Sequence, residues 1–274
     1  LRDQADTPQD ALLLENLLID DLNQESVHRY RILFNNLKPD HVWGKLADDE
    51  FLIKIGAAKK SREDGKIHPT LGGLIFFGDF ITITEELPNY FLDYRERLSN
   101  ETRWSDRVCS GDGNWSGNIF DFYFKIIDRL TADVKTPFKL DSNLQRIDDT
   151  PIHRSLRECL ANALIHADYY GRRGIVALRF PEKVEVANPG GLRIALDAMI
   201  AGGVSDARNP TLMKMFGLIN ACEKAGGGFD TMRRAAREAQ AEAPQAEEGF
   251  NPDRVTVTVH LGNAASTAAP ASAV

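Results

Sequence analysis

The stretch PIHRSLRECLANALIHADYY, residues 151–170, decides the fold of this 274-residue chain. Its apolar residues recur every three or four positions, a spacing that predicts a helix with one face packed on a core. Thr150 and Pro151 are of the types that favour the N-cap and the first helical position. We therefore predict a helix over Pro151–His166, with its apolar stripe on Ile152, Leu156, Cys159, Leu160 and Ala163.

A second face of this helix carries Glu158, Asn162 and His166, each four residues from the next. One interpretation is a solvated face on which Arg154 pairs with Glu158, an interaction worth about 0.2–0.5 kcal/mol. The other is a functional face, because an asparagine in mid-helix is unfavourable unless its amide has a partner elsewhere. The helix alone leaves both interpretations open.

The segments that follow favour the functional interpretation. Gly174–Phe180 and Lys183–Ala187 are predicted strands joined by a tight turn. The sequence then runs into Asn188–Leu192, whose two glycines let the backbone approach another group closely. Further on, Gly226–Gly228 precedes a predicted helix, and the free amides at a helix N-terminus attract phosphate oxygens.

Four motifs in this order resemble a divergent branch of the GHKL (Bergerat-fold) ATPases, the superfamily of gyrase, MutL and sensor histidine kinases. Members of that branch read REALxNAxxHxDY, then NPGGL, then RNP, then ExxGxG. They occur in transcriptional regulators with an upstream Schlafen/AlbA-like DNA-binding domain. The resemblance covers Pro151 to Leu261 and implies an ATP-binding domain. The matching segments are Arg157–Tyr169, Asn188–Leu192, Arg208–Pro210 and Glu223–Gly228.

The resemblance implies roles for individual residues in a site for ATP and Mg²⁺. Glu158 would orient and deprotonate the attacking water, and Asn162 would coordinate Mg²⁺ that bridges the phosphates. The chemistry agrees, because Mg²⁺ keeps several waters and needs few protein oxygens. The other predicted contacts to the nucleotide are Gly190 and Gly191 beside the adenine, Gly226 and Gly228 over the phosphates, and His166, Asn188 and Arg208. For Arg208, phosphate contact and plain surface charge are both open interpretations.

Asn188 departs from the superfamily pattern, which usually has an aspartate at this position to accept a hydrogen bond from the adenine amino group. The asparagine oxygen still accepts one bond, but without the strength that a charge adds. Nucleotide binding without efficient turnover is therefore one expected outcome.

Three functions compete. The first is an ATP-binding regulatory module of a transcriptional regulator that is also a slow ATPase of the GHKL type. The second is a histidine-kinase-like phosphotransferase, for which His28 and His153 are the candidate acceptors. The third is a non-enzymatic scaffold with a degenerate nucleotide pocket, which Asn188 favours. Family members have been named helicases, but the sequence has no GxxxxGK[ST] phosphate loop, so a translocating motor is not expected.

Composition narrows the partners and the compartment. The formal charge of −7 gives no basic footprint, so we expect DNA contact only through an upstream domain. Three distant cysteines without a CxxC pair favour a reducing cytoplasm. The longest apolar run, Leu71–Phe77, is too short to cross a bilayer, so no membrane partner is expected.

A homodimer is an open alternative. The polar, acidic start at Leu1 leads us to expect a fragment of a longer protein.

The predicted fold class is α/β (α+β), with a C-terminal two-layer sandwich of mixed sheet and helices after a mixed α/β segment. We predict an N-terminal region over residues 1–147, the ATP-binding domain over 148–262, and a disordered tail over 263–274.

Several N-terminal elements follow from periodicity alone. Leu12–Asn36 is a predicted helix, interrupted near Asn23, and Asn89–Arg95 is a predicted strand. Leu71–Gly78 is an apolar run that fits either a buried helix or a buried strand. Ser105–Gly117 is a predicted loop, and so is the acidic, alanine-rich segment before a last strand.

Two segments contain residue types that can bind metal ions. The Ser105–Gly117 loop is rich in oxygen-bearing residues but lacks the spacing of an EF-hand, so a solvated turn is the simpler interpretation. His166 and Asp168 have a spacing that can ligate a transition metal, but no cluster of histidines or cysteines supports such a site. A helix-capping role for Asp168 is the alternative.

Overall fold

The computed structural model describes residues 8–99, 103–132, 134, 149–201, 203, 206–222 and 227–262. Gly226 and the predicted tail over 263–274 lie outside these residues. The helices are α1 Gln24–Leu37, α2 Asp48–Ile55, α3 Leu71–Phe77, α4 Phe80–Glu86, α5 Ile119–Thr131, α6 Pro151–His166, α7 Leu196–Ala201, α8 Pro210–Leu218 and α9 Gly228–Glu238. The strands are β1 Ala58–Lys60, β2 Ile67–Pro69, β3 Leu92–Glu96, β4 Asp106–Cys109, β5 Ile175–Arg179, β6 Lys183–Pro189, β7 Gln245–Gly249 and β8 Arg254–His260.

A six-stranded mixed sheet in the order β4-β3-β5-β6-β8-β7 organises the chain. Strands β3 and β5 run parallel, and the other neighbouring pairs are antiparallel. A second, two-stranded sheet pairs β1 with β2. The α/β class predicted from the sequence is confirmed. Strands β3 and β4 come from the predicted N-terminal region, yet they pair in the same sheet as the strands of the predicted ATP-binding domain.

One face of the sheet is covered by helices. On β5 the alternate residues Ile175 and Ala177 are buried, and on β6 the same is true of Val184 and Val186. Helix α6 contacts β5, β6 and β8 from this side, and α9 packs along α6. This arrangement of one sheet under one layer of helices is the sandwich expected from the period-two and period-3.6 patterns.

The apolar run Leu71–Phe77 is a helix, α3, and every one of its residues is buried. Thr70 caps it, because the Thr70 hydroxyl oxygen accepts from the Gly73 amide at 3.0 Å. A Cβ atom on Gly73 would lie 1.9 Å from the Ala57 carbonyl oxygen, so the glycine lets the helix touch the neighbouring backbone. The N-terminal core around α3 is aromatic. The rings of Tyr30 and Phe120 pack against Phe76 of α3, and Tyr30 also packs against Phe77.

Helix α8 joins this N-terminal core to the sheet. The Tyr30 hydroxyl donates to the Met215 carbonyl oxygen at 2.9 Å, and the ring of Phe216 packs edge-on against Phe76 with centroids 4.9 Å apart. The Lys214 ammonium donates to the Lys54 carbonyl oxygen at 2.7 Å. The orientation of α8 is therefore set by residues far away in the sequence.

Other elements differ from the sequence-based expectation. The first long helix begins at Gln24 and not at Leu12, because the preceding backbone bonds to both flanks of α3 through the bridges Leu13–Thr70 and Leu22–Gly78. Strand β4 lies within the predicted loop Ser105–Gly117, and β7 lies within the predicted acidic loop. In each case a distant partner strand supplies the hydrogen bonds that the local pattern does not reveal.

Candidate functional site

A cleft opens beside α6, bordered by β6, β8 and helices α7, α8 and α9. It holds about 970 Å³ of empty space, including the part that is open to solvent. Of the predicted site residues, the cleft is lined by Glu158, Asn162, His166, Asn188, Gly191, Arg208 and Gly228.

Glu158 and Asn162 form a hydrogen-bonded pair on the face of α6 that borders the cleft. The Asn162 Nδ2 atom donates to Glu158 Oε1 at 3.2 Å, and Glu158 is only 5% exposed. The solvated-face interpretation is therefore wrong. Arg154 does not pair with Glu158 but lies 3.0 Å from Glu238 on α9. A charged group kept this far from water needs a reason, because burial of a carboxylate is costly.

Gly228, the first residue of α9, lies directly against this pair. A Cβ atom there would lie 2.3 Å from Asn162 Nδ2 and 2.6 Å from Glu158 Oε1, so any other residue would displace one of the two side chains. In the part of the chain that the structure describes, no side chain caps the N-terminus of α9. The first turn of α9 thus lies beside the carboxylate and the carboxamide.

His166 lies one turn beyond Asn162 at the end of α6. Burial, and secondarily the positive charge of Arg208, lowers the pKa of His166 from 6.5 to about 4. The imidazole is therefore neutral at pH 7 and offers the cleft one donor nitrogen and one acceptor nitrogen.

Arg208 is 8% exposed and binds two backbone carbonyl groups across the cleft wall. Its Nε donates to the His166 carbonyl oxygen at 3.0 Å, and its Nη2 donates to the Gly191 carbonyl oxygen at 2.8 Å. The surface-charge interpretation of Arg208 is wrong. The guanidinium fastens the end of α6 to the glycine turn after β6, while a contact to phosphate stays a prediction.

The segment Asn188–Leu192 begins at the end of β6, continues into the turn after it and closes one side of the cleft. Asn188 is 5% exposed, and its Nδ2 donates to the Pro189 carbonyl oxygen at 3.2 Å. Gly190 has a φ of +94°, and a Cβ atom on it would lie 3.1 Å from Arg208 Nη2. Gly190 therefore packs against the Arg208 guanidinium and does not line the cleft. Gly226, predicted to close over the phosphates, lies outside the described residues.

Sequence reasoning missed several residues of the cleft wall and its surroundings. Asn209 donates from Nδ2 to the carbonyl oxygens of Ile165 and Ala167, both at 2.8 Å. Its place in the Arg-Asn-Pro motif was the available signal. Arg193 and Asp206 form an ion pair of 2.9 Å at the cleft, which no local pattern indicates. The apolar part of the lining includes Met199, Met213, Phe229, Met232 and Val257.

The donors present suit Mg²⁺ held chiefly by a nucleotide better than a metal held by protein alone. Across the described ranges, no three His, Cys, Asp or Glu side chains cluster in a way that could hold a metal ion. Asp168 Oδ1 accepts from the Tyr170 amide at 3.0 Å. Asp168 therefore caps the turn after α6, which is close to the capping role that the sequence offered as the alternative to a metal site. A single carboxamide oxygen beside phosphates fits Mg²⁺, which takes phosphate and water oxygens as its other ligands.

The chain resembles known proteins in two separate segments. Residues 174–259 match a family described as "Putative ATP-dependent DNA helicase recG C-terminal". Residues 1–93 match a family described as a domain of unknown function, DUF8451. The first match begins after α6 and does not cover Glu158 or Asn162. No curated protein matches the chain.

A solved structure shows the same fold over nearly the whole chain. The crystal structure of the DIP2311 protein from Corynebacterium diphtheriae superposes with a TM-score of 0.70 at 19% identity. The alignment covers 95% of this chain and 49% of that protein, so the chain spans about half the length of this neighbour.

The family match indicates an ATPase-like domain over residues 174–259. Among the helices that the structure describes, none combines the length and apolar character needed to span a bilayer.

Proposed function

We propose that the cleft binds ATP together with Mg²⁺, and that the protein hydrolyses this ATP slowly. The observation that carries the proposal is the hydrogen-bonded pair Glu158–Asn162 packed under Gly228, at the N-terminal end of α9 and on the wall of the cleft. A carboxylate, a carboxamide and free helix amides in one place are the groups that a triphosphate with its metal needs.

The two ends of the cleft differ in chemistry, which orients the nucleotide. The apolar side chains of Met199 and Val257 support a flat base. Asn188 and the turn after it offer that base polar contacts, and the neutral His166 lies between the two ends. The phosphates then extend toward Asn162 and the first amides of α9, where the helix dipole favours negative charge.

Each member of the hydrogen-bonded pair has its own role in this proposal. The Asn162 Nδ2 group is occupied by Glu158, which leaves the Asn162 oxygen as the atom for the metal. A Mg²⁺ ion held by the Asn162 oxygen would neutralise phosphate charge. Glu158 accepts a proton from the water that attacks the terminal phosphate, a contribution of about 10²–10⁴ to the rate. Asn188 accepts from the base without charge assistance, which favours weak binding and slow turnover.

A regulatory role in a transcriptional regulator is part of the proposal and rests on the sequence resemblance. In that setting the ATP-dependent domain acts as a switch for a DNA-binding domain upstream. The net charge of −7 is consistent with DNA contact being made elsewhere.

Thermal unfolding with and without MgATP tests the proposal. ATP at 100 times its dissociation constant is expected to stabilise the folded state by about 2.7 kcal/mol. ATP with EDTA is the matched control and is expected to lose most of this effect. An unchanged unfolding temperature at millimolar MgATP would instead favour a scaffold with a degenerate pocket.

Incubation with γ-labelled ATP separates hydrolysis from phosphotransfer. Release of inorganic phosphate without labelled protein is expected. The ring of one candidate acceptor, His153, is engaged with the Thr150 hydroxyl at 2.6 Å in the cap of α6. Stable labelling of the protein would contradict the ATPase proposal and favour the kinase.

A further inference from the structure

Helix α8 has an unusual N-terminus. Asn209 occupies the N-cap position, where asparagine normally accepts a hydrogen bond from an amide of its own first turn. Here the Asn209 side chain makes no such bond. Its Nδ2 group instead donates to the carbonyl oxygens of Ile165 and Ala167 at the end of α6.

The missing cap comes from Asp10, about two hundred residues earlier in the chain. Asp10 Oδ2 accepts from the Thr211 amide at 2.6 Å and from the Leu212 amide at 3.0 Å. The residue is fully buried, and its charge lies at the positive end of the α8 dipole. A carboxylate this deep in the protein is retained only if its contacts compensate for the lost hydration.

The segment around Asp10 is itself fixed to the N-terminal core. A Cβ atom on Gly72 would lie 2.8 Å from the Asp10 carbonyl oxygen, so the turn presses on α3. Two residues later, the Leu12 carbonyl oxygen accepts from the Leu71 amide at 2.8 Å. Asp10 therefore presents its carboxylate from a rigid support.

Two residues directly before α8 then bind groups at or next to the cleft wall. Arg208 binds the His166 and Gly191 carbonyl groups, and Asn209 binds the end of α6. Both contacts depend on the position of the first turn of α8. The chain of contacts runs from Asp10 through α8 to the wall of the candidate nucleotide site.

We propose that Asp10 is a positioning residue for the nucleotide site, acting through Asn209 and Arg208; this inference rests on the proposed function. Because Asp10 caps α8, the side-chain carboxamide of Asn209 is not needed to cap that helix. It can instead bind the end of α6. The N-terminal segment is thereby coupled to nucleotide affinity, although Asp10 is not part of the cleft lining.

Calorimetric titration of MgATP into the intact chain tests this coupling. Asp10→Ala frees the Thr211 and Leu212 amides, the Asn209 side chain turns to cap them, and MgATP binds about tenfold more weakly. Asp10→Asn keeps an acceptor oxygen and is expected to bind within about twofold of the wild type. Asn23→Ala removes the cap of α1 in the same core but leaves the bond from Tyr30 of α1 to α8 in place, so it serves as a control with unchanged affinity.

A double-mutant cycle separates this mechanism from general destabilisation. Asp10→Ala and Asn209→Ala remove successive links of one path, so the double variant is expected to lose no more affinity than the weaker-binding single variant. Fully additive losses would overturn the inference. If Asp10→Ala does not fold, Asp10→Ser takes its place, with an expected loss of about threefold because its hydroxyl reaches one amide at most.

The outcomes distinguish the two proposals. A wild-type protein that binds MgATP, with unchanged affinity in Asp10→Ala or in its serine replacement, overturns the role of Asp10 alone. A wild-type protein that does not bind MgATP overturns the proposed function, and the inference with it.

Discussion

Helices α6 and α8 start with the same local signal and are stabilised in different ways. Each has a polar residue of the capping type followed by proline, Thr150-Pro151 in α6 and Asn209-Pro210 in α8. Thr150 caps its own helix by accepting from the His153 amide. Asn209 leaves its helix to be capped by Asp10 and binds α6 instead.

This difference shows that a capping residue in the sequence indicates where a helix begins. It does not indicate which groups the side chain of that residue binds. Helix α6 is self-contained and presents the chemical groups Glu158 and Asn162. Helix α8 depends on the N-terminal segment and sets the shape of the wall around those groups. If this contrast is real, changes on α6 alter the chemistry directly, and changes at α8 act through position.

The largest expected effect is on α6, at Glu158. Glu158→Gln keeps the acceptor oxygen for Asn162 but cannot take a proton from water. We expect the hydrolysis rate to fall by about 10²–10⁴, with MgATP affinity within a few-fold of the wild type. Phosphate release and calorimetric binding on the same preparation measure the two quantities. Turnover equal to that of the wild type would remove Glu158 from the mechanism.

His166 on α6 and Asp10, the cap of α8, are buried titratable groups with opposite effects on stability. The pKa of His166 is lowered to about 4, so between pH 6.5 and 4 the unfolded chain binds the proton and acidification destabilises the fold. Burial raises the pKa of Asp10 from 3.8 to about 6, so in that window the folded chain binds the proton and acidification stabilises it.

Denaturant unfolding between pH 7 and pH 4 measures both effects. Relative to the wild type, His166→Gln is expected to gain on the order of 3 kcal/mol on acidification, and Asp10→Asn to lose a similar amount. Parallel pH profiles for the three proteins would contradict the assignment of these groups.

Asn162→Ala sharpens the contrast from the side of binding. Loss of the carboxamide oxygen removes the protein ligand for Mg²⁺, and we expect MgATP affinity to fall about 100-fold, or 2.7 kcal/mol. Arg154→Ala is the matched control on the same helix, because Arg154 pairs with Glu238 away from the cleft. Equal affinities in both variants would show that Asn162 does not hold the metal.

The smallest expected effect is at the self-contained cap. Thr150→Ala removes the bond to the His153 amide and is expected to cost about 1 kcal/mol of unfolding free energy. Because this cap does not reach the cleft, MgATP affinity is expected to stay within about twofold, unlike that of Asp10→Ala. Chemical denaturation and titration check both parts, and a loss of affinity as large as that of Asp10→Ala would erase the contrast.

The predictability of each element follows the range of its contacts. The bounds of α6 and the hairpin of β5 and β6 were predicted, because capping residues, proline and alternation act locally. Strands β4 and β7 were missed, because their sequences are polar and only a partner strand defines them. The helix expected from Leu12 was wrong up to Asn23, since those backbone groups bond to α3.

The site divides in the same way. The spacing of Glu158, Asn162 and His166 on one helix face could be predicted, and the structure brings them into one cleft with Asn188, Gly191, Arg208 and Gly228. The link from Asp10 to Thr211 could not be predicted, because no sequence pattern connects residues two hundred positions apart. Similarly, nothing in the sequence showed that Arg208 binds backbone carbonyl groups.

The most direct test of the central claim is a crystal structure of this chain with Mg²⁺ and a non-hydrolysable ATP analogue. We expect the base to lie against the apolar wall beside Asn188 and the Asn162 oxygen to bind the metal. The terminal phosphate is expected near Glu158 and the first turn of α9. A nucleotide bound outside this cleft, or a cleft that stays empty at saturating nucleotide, would contradict it.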